Sequence, residues 1–169
     1  MSDTAMIAFL PTNGSWCKQD FPHMTLVYAG VITDRPDSEF NEMAKDAISA
    51  ARVVKSFSLS VVGVETLGDA GEEVDALMLF PTPQLLVTYN MVAPRWNKSE
   101  FTEYLPHATI GPVGSAYAQA DPLENTDMVN EKSYAQLRRN TLPASIYFDR
   151  LAVCWGDNKM IFSLSEFDY

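Results

Sequence analysis

The chain contains two histidines, His23 and His107, and both stand in the same local setting. Phe21 to Gly30 reads FPHMTLVYAG and Leu105 to Gly114 reads LPHATIGPVG. Each histidine follows a proline, precedes a threonine by two positions, and is followed seven residues later by a glycine. Imidazole is the side chain whose unperturbed pKa lies near neutrality, so two of them can serve one reaction as base and acid. A threonine hydroxyl can donate a hydrogen bond to an oxygen that carries negative charge. In a β-strand, residues two apart share a face, which puts His23 with Thr25 and His107 with Thr109. Met24, Leu26 and Tyr28, like Ala108 and Ile110, then point the other way, toward a core. One face of each segment is chemical and the other packs.

The elements needed to hold such a pair are legible in order. Ala5 to Leu10 reads as a short buried first strand closed by Pro11. A loop with the turn pair Asn13-Gly14 follows, and Trp16 in it either hangs over the site or closes an edge of the core. After Gly30, Thr33 or Asp34 can cap a helix with Pro36 in its first turn, and Phe40, Met43, Ala44, Ala47, Ile48 and Ala51 form its apolar stripe. Phe57 to Leu67 alternates as a strand with a bulge expected at Gly63, and Val74 to Phe80 reads as an interior strand paired with it. Thr82-Pro83 opens a second helix, with Leu85, Leu86, Tyr89 and Val92 on one side and Pro94 as its stop. Ser115 to Leu142 is the least periodic stretch and includes a short helix expected near Glu131 to Arg139. Ile146 to Trp155 and Met160 to Leu164 close the chain as a hairpin across Gly156-Asp157-Asn158. The histidines lie about half the chain apart, and each half offers strands and a helix.

Composition bounds the rest. The 169 residues are 47% hydrophobic, enough for one packed domain over 1–169 or one pair of intimately packed lobes. A net charge of −10 leaves no broad basic surface for a long nucleic acid, though a small anion in a local pocket remains compatible. Cys17 and Cys154 read as free thiols of a reducing compartment, and no signal peptide or membrane span is apparent, so a cytoplasmic protein is expected.

The paired motifs, His23-Met24-Thr25 and His107-Ala108-Thr109, resemble those of the 2H phosphoesterase superfamily. The resemblance covers most of the chain in element order and motif spacing. It implies an α+β fold of two pseudo-symmetric lobes, antiparallel strands with flanking helices around a central cleft. It also implies catalytic roles for His23, Thr25, His107 and Thr109 around one phosphate, with no metal and no cofactor. Members open 2′,3′-cyclic phosphates, cleave 2′,5′-linked oligoadenylates, trim RNA ends or, in phage, cut cyclic oligonucleotide defence signals; in that last case the setting would be the host cytoplasm. The acidic balance favours a small or cyclic oligonucleotide as partner over a long RNA. Trp16 and Trp155 are the candidate stacking surfaces for its bases, ahead of Trp96 and Tyr117, and Arg150 and Lys159 are candidates for a second phosphate. A non-catalytic nucleotide sponge and an interaction protein on the same fold are the competing classes. A two-histidine metal site lacks further ligands at suitable spacing, and neither cysteine is tied by sequence to a histidine. The assignment of base and acid between the two histidines, and the oligomeric state, stay open.

Overall fold

A computed structural model describes residues 3–97, 104–115 and 142–165. Among the described residues, seven strands and two α-helices run in the order β1 (Thr4–Pro11), β2 (Met24–Val31), α1 (Ser38–Val53), β3 (Phe57–Leu67), β4 (Val74–Leu79), α2 (Pro83–Trp96), β5 (His107–Pro112), β6 (Ser145–Trp155) and β7 (Asn158–Ser163). The strands form one sheet in the order β1-β2-β5-β4-β3-β6-β7, and β1 also pairs with β6. Six strands therefore close a ring, with β7 outside β6. Every ladder between them is antiparallel. This is the α+β architecture expected.

β6 is the strand that joins the two halves. Its first residues pair with β3, Phe57 facing Phe148, and its remainder pairs with β1 and β7. Phe148 is fully buried where these strands meet, with Phe9 edge-on at 6.4 Å and Phe57 at 5.5 Å. Burial of a side chain of this size contributes about 1.5–3 kcal/mol. The helices cover the core face of the sheet. α1 does so with Met43, Ala47, Ala50 and Ala51, whose small side chains let it approach closely, and α2 with Leu85, Val92, Ala93 and Trp96.

Local departures from the expected boundaries have physical causes. Ile32–Asp34 forms a 3-10 turn and α1 begins only at Ser38, after the extended Arg35 and the ring of Pro36, so neither Thr33 nor Asp34 is its cap. α2 starts as expected, with the Thr82 hydroxyl accepting from the Leu85 amide at 3.3 Å. It runs past Pro94 to Trp96, which is 2% exposed and donates its indole N–H to Asp46 at 2.6 Å. That buried anchor outweighs the one amide donor lost at the proline. The short helix expected near Glu131 to Arg139 lies outside the described residues, as does Tyr117. At Gly63 the β3–β4 register slips as a bulge predicts.

Candidate active site

β2 and β5 meet at one residue pair, Met24 opposite Ala108, and both side chains are fully buried on the core face. Continuing that antiparallel register by one residue sets His23 beside Thr109 and Thr25 beside His107. The four polar side chains thus gather on the open face, directly above the apolar pair that ties the strands together. β4 extends the same rows, with Met78 opposite His107 and Ala76 opposite Thr109. All four motif residues are half-buried, reachable by a ligand and held by their strands.

The repeated proline has a specific consequence. A residue before proline is driven to an extended backbone. In both copies the carbonyl of that residue lies at the imidazole Nδ1: Phe21 O at 2.7 Å from His23 and Leu105 O at 2.9 Å from His107. A carbonyl only accepts, so Nδ1 carries the proton and Nε2 is left with its lone pair in the neutral ring. Both histidines are therefore set in the same tautomer by their own motif. The glycines that end the two stretches also correspond, Gly30 with φ 88° and Gly114 with φ 96°, a region that favours glycine. The second of these turns is pinned by the buried Asp75, whose carboxylate accepts from Gly114 N at 2.8 Å and from Thr66 Oγ1 at 3.1 Å.

The surroundings of the two copies differ. Phe21 stacks on His23, with ring centres 5.0 Å apart, and Lys159 Nζ lies 4.3 Å above the Phe21 ring. Burial pushes the His23 pKa below its ordinary value, and the charges of His107 and Lys159 push the same way, against the Phe21 carbonyl. His23 is thereby favoured as the neutral imidazole. On the His107 side a cleft of about 460 Å³ opens, lined by His107 and Thr25 together with Met78, Leu105 and Tyr104. The Tyr104 hydroxyl donates to Thr25 O at 2.9 Å, and its ring stacks on Tyr89 at 4.5 Å. Burial raises the Tyr104 pKa far above its usual value, so it stays a neutral donor.

Among the described residues Thr25 Oγ1 is engaged with the thioether of Met6 at 3.6 Å, a weak acceptor that a phosphate oxygen readily replaces. The tryptophans expected near the substrate lie elsewhere. Trp155 is 4% exposed and stacks on Phe40 of α1, on the core face. Trp16 is equally buried and donates its indole N–H to Asn13 O at 2.9 Å. Alternation along β6 puts Trp155 opposite in sense to Cys154, whose neighbour across the ladder is Lys159. Neither tryptophan offers a ring face to a base, and Trp96 is held in the core by Asp46. Arg150 is committed to Pro11 O and Asp149. Sequence reasoning missed Tyr104 and Met78. Tyr104 stands three residues before His107, outside the motif itself, and Met78 required the strand register.

Cys17 and Cys154 are free thiols, and burial raises the pKa of both, so neither is tuned as a nucleophile. Among the described residues no group of three His, Cys, Asp or Glu side chains is disposed to hold a metal ion, and no helix is long and apolar enough to cross a membrane.

A family model described as the 2′-5′ RNA ligase superfamily matches residues 14–159, a span that includes both motifs. The chain belongs to this superfamily, whose members are the 2H phosphoesterases. Among solved structures, Usb1 of Kluyveromyces marxianus superposes with a TM-score of 0.58 at 12% identity, over 96% of this chain and 99% of that one. Its structure with uridine monophosphate gives 0.57 over the same shares, also at 12% identity. The E. coli LigT structure complexed with ATP gives 0.50 at 12% identity, over 98% of this chain and 99% of that one. At these identities the likeness is one of fold. No curated relative matches the sequence.

Proposed function

We propose that the chain is a metal-independent phosphodiesterase that uses His23 and His107 as a base and acid pair on a small or cyclic oligonucleotide. The observation that carries this reading is the matched tautomer of the two imidazoles, each with Nδ1 held by a backbone carbonyl and Nε2 left available, beside two threonine hydroxyls on the same face. A binding protein would need the donors but gains nothing from two imidazoles held in one tautomer with Nε2 left free to exchange a proton. Membership of the superfamily supports phosphodiester chemistry in general. The mononucleotide in the Usb1 structure and the ATP in the LigT structure support a small nucleotide as ligand.

For a 2′,3′-cyclic phosphate, the neutral imidazole takes a proton from water as the water oxygen bonds to phosphorus. The bond from phosphorus to one ring oxygen breaks on the far side, and the protonated imidazole delivers its proton to that oxygen. For a 3′,5′ linkage the 2′-hydroxyl replaces water as the attacking group, the 5′-oxygen leaves, and a 2′,3′-cyclic phosphate forms. Thr25 and Thr109 donate to the non-bridging oxygens, where charge is held as the phosphorus rearranges. The depressed pKa of His23 suits it to the first proton removal.

The test is a chromatographic turnover screen in EDTA of the wild-type protein and His107→Ala against 2′,3′-cyclic mononucleotides, 2′,5′-oligoadenylate, and cyclic di- and trinucleotides. Linearised products from the cyclic oligonucleotides, absent with the variant, are expected. Opening of the simple 2′,3′-cyclic phosphates alone moves the assignment to RNA-end processing. Nucleotide recovered unchanged after denaturation overturns catalysis in favour of a sponge, and activity lost in EDTA and restored by zinc overturns the mechanism.

A further inference from the structure

We infer that the cleft on the His107 side is a nucleobase subsite selective for guanine, with Glu65 as the residue that reads the base; this rests on the phosphodiesterase reading above. The argument begins with the register of the sheet. Glu65 pairs with Ala76, and Ala76 with Thr109, so Glu65 shares the open face and the row of Thr109, two strands away. The cleft that Thr25 and His107 line is also lined by Glu65 and Glu72, and by no lysine or arginine among the described residues. Its volume of about 460 Å³ falls in the range of small-molecule sites and accommodates a purine nucleoside.

The lining sorts the parts of a nucleotide. Leu67, Val74, Met78 and Leu105 supply an apolar wall for a flat ring, beside the stacked Tyr89–Tyr104 pair. The two carboxylates repel a phosphate, so the phosphorus stays at the histidines and a nucleoside occupies the cleft. Lys159, whose charge acts on His23, sits on the other side, next to Phe21 and His23. A nucleotide is thus oriented with its base toward β3 and β4.

A carboxylate has only acceptors, which discriminates among bases by their edges. Guanine presents two adjacent donors, the ring N1–H and the exocyclic N2–H, matched to the two carboxylate oxygens. Adenine and cytosine each present one amino donor beside a ring-nitrogen acceptor. Uracil presents one N–H flanked by two carbonyl oxygens that a carboxylate repels. A site built to accept from such donors rejects an analogue that lacks them, because a group is then left unpaired. Glu65 is itself exposed on a strand, so replacing it leaves the core and the histidines untouched.

The experiment separates base selection from turnover. Equilibrium binding of the 3′-monophosphates of guanosine, adenosine, cytidine and uridine is measured on the wild-type full chain and on Glu65→Gln, and kcat/KM is measured on the four 2′,3′-cyclic mononucleotides. Guanosine 3′-monophosphate is expected to bind on the order of tenfold more tightly than the uridine compound. Glu65→Gln, whose amide both donates and accepts, should bring the two affinities, and the two values of kcat/KM, within about threefold of each other. Affinities equal within threefold in the wild type, absence of nucleotide binding altogether, or a guanine preference that survives Glu65→Gln, overturns the inference. Guanine-selective binding without turnover of any substrate leaves the subsite standing and overturns the catalytic reading instead.

Discussion

The two Pro-His-x-Thr segments share a backbone and differ in what surrounds it. In each, the residue before proline turns its carbonyl to the imidazole Nδ1, and a glycine of positive φ ends the stretch. Around His23 stand an aromatic ring and the cation of Lys159. Around His107 stand an open apolar cleft, two tyrosines and two carboxylates. The shared part fixes what each side chain can do, namely the tautomer and the hydroxyl beside it. The unshared part decides which proton state is favoured and which piece of a substrate lies on which side.

The shared part can be broken first, and with the largest effect. His23→Ala and His107→Ala should each lower kcat by a factor of about 10² to 10⁴, since each removes a proton-transfer step. Circular dichroism and thermal melting should stay close to wild type, because neither side chain is in the core. A variant of either histidine that keeps near-full turnover would show that the chemistry is one-sided. Next come Thr25→Val and Thr109→Val, which remove a hydroxyl donor while keeping the β-branched shape. If both threonines hold the phosphoryl oxygens, each should cost about 10² to 10³ in kcat. A loss confined to Thr25 would mean that only the cleft side carries charge in the transition state.

How much of this could be read from the chain follows the same division. The shared polar face was legible because both halves of the alternation are written in the sequence: polar at His23 and Thr25, apolar at Met24 and Leu26, and likewise in the second copy. The pairing of Met24 with Ala108 is a contact between residues far apart in sequence, and no local pattern encodes it. The same limit applies to the ligand side. Trp16 and Trp155 were selected by residue type, but large aromatic side chains are as valuable to a core as to a base, and here the core has both. Tyr104 could have been found by its position three residues before His107, the place where a side chain can reach back over the motif. Glu65 could not, since only the β3–β4–β5 register brings it into the row of Thr109.

The correspondence of the terminal glycines can be tested more finely. A Cβ built on Gly114 meets no atom of the described residues within 4 Å, so the strain expected of Gly114→Ala comes from its φ of +96°. The expected cost is about 1 to 2 kcal/mol, visible as a fall of a few degrees in Tm. Gly63 has equally open space around its Cβ position and is not among the glycines of positive φ. Gly63→Ala should therefore leave Tm unchanged or slightly raised. Equal effects at the two positions would mean that backbone conformation is not what selects glycine after the second motif.

The smallest effect carries the most information about the unshared part. Lys159 is one of the causes that hold the His23 pKa below its ordinary value, after burial and beside His107. A positive charge disfavours a second one nearby, so replacing Lys159 with methionine should let the imidazolium form more easily and raise the His23 pKa. That change removes the ammonium over Phe21 but keeps most of the side-chain length, and the residue is exposed, so the fold should hold. If His23 is the base, it must be neutral to act, and the acid limb of the kcat/KM profile should move to higher pH while the alkaline limb stays in place. Movement of the alkaline limb alone would make His23 the acid and His107 the base. Lys159→Arg keeps the charge and should leave both limbs where they are. Added salt should shrink the difference between wild type and the methionine variant, since a charge at the surface is screened over about 10 Å at 0.1 M.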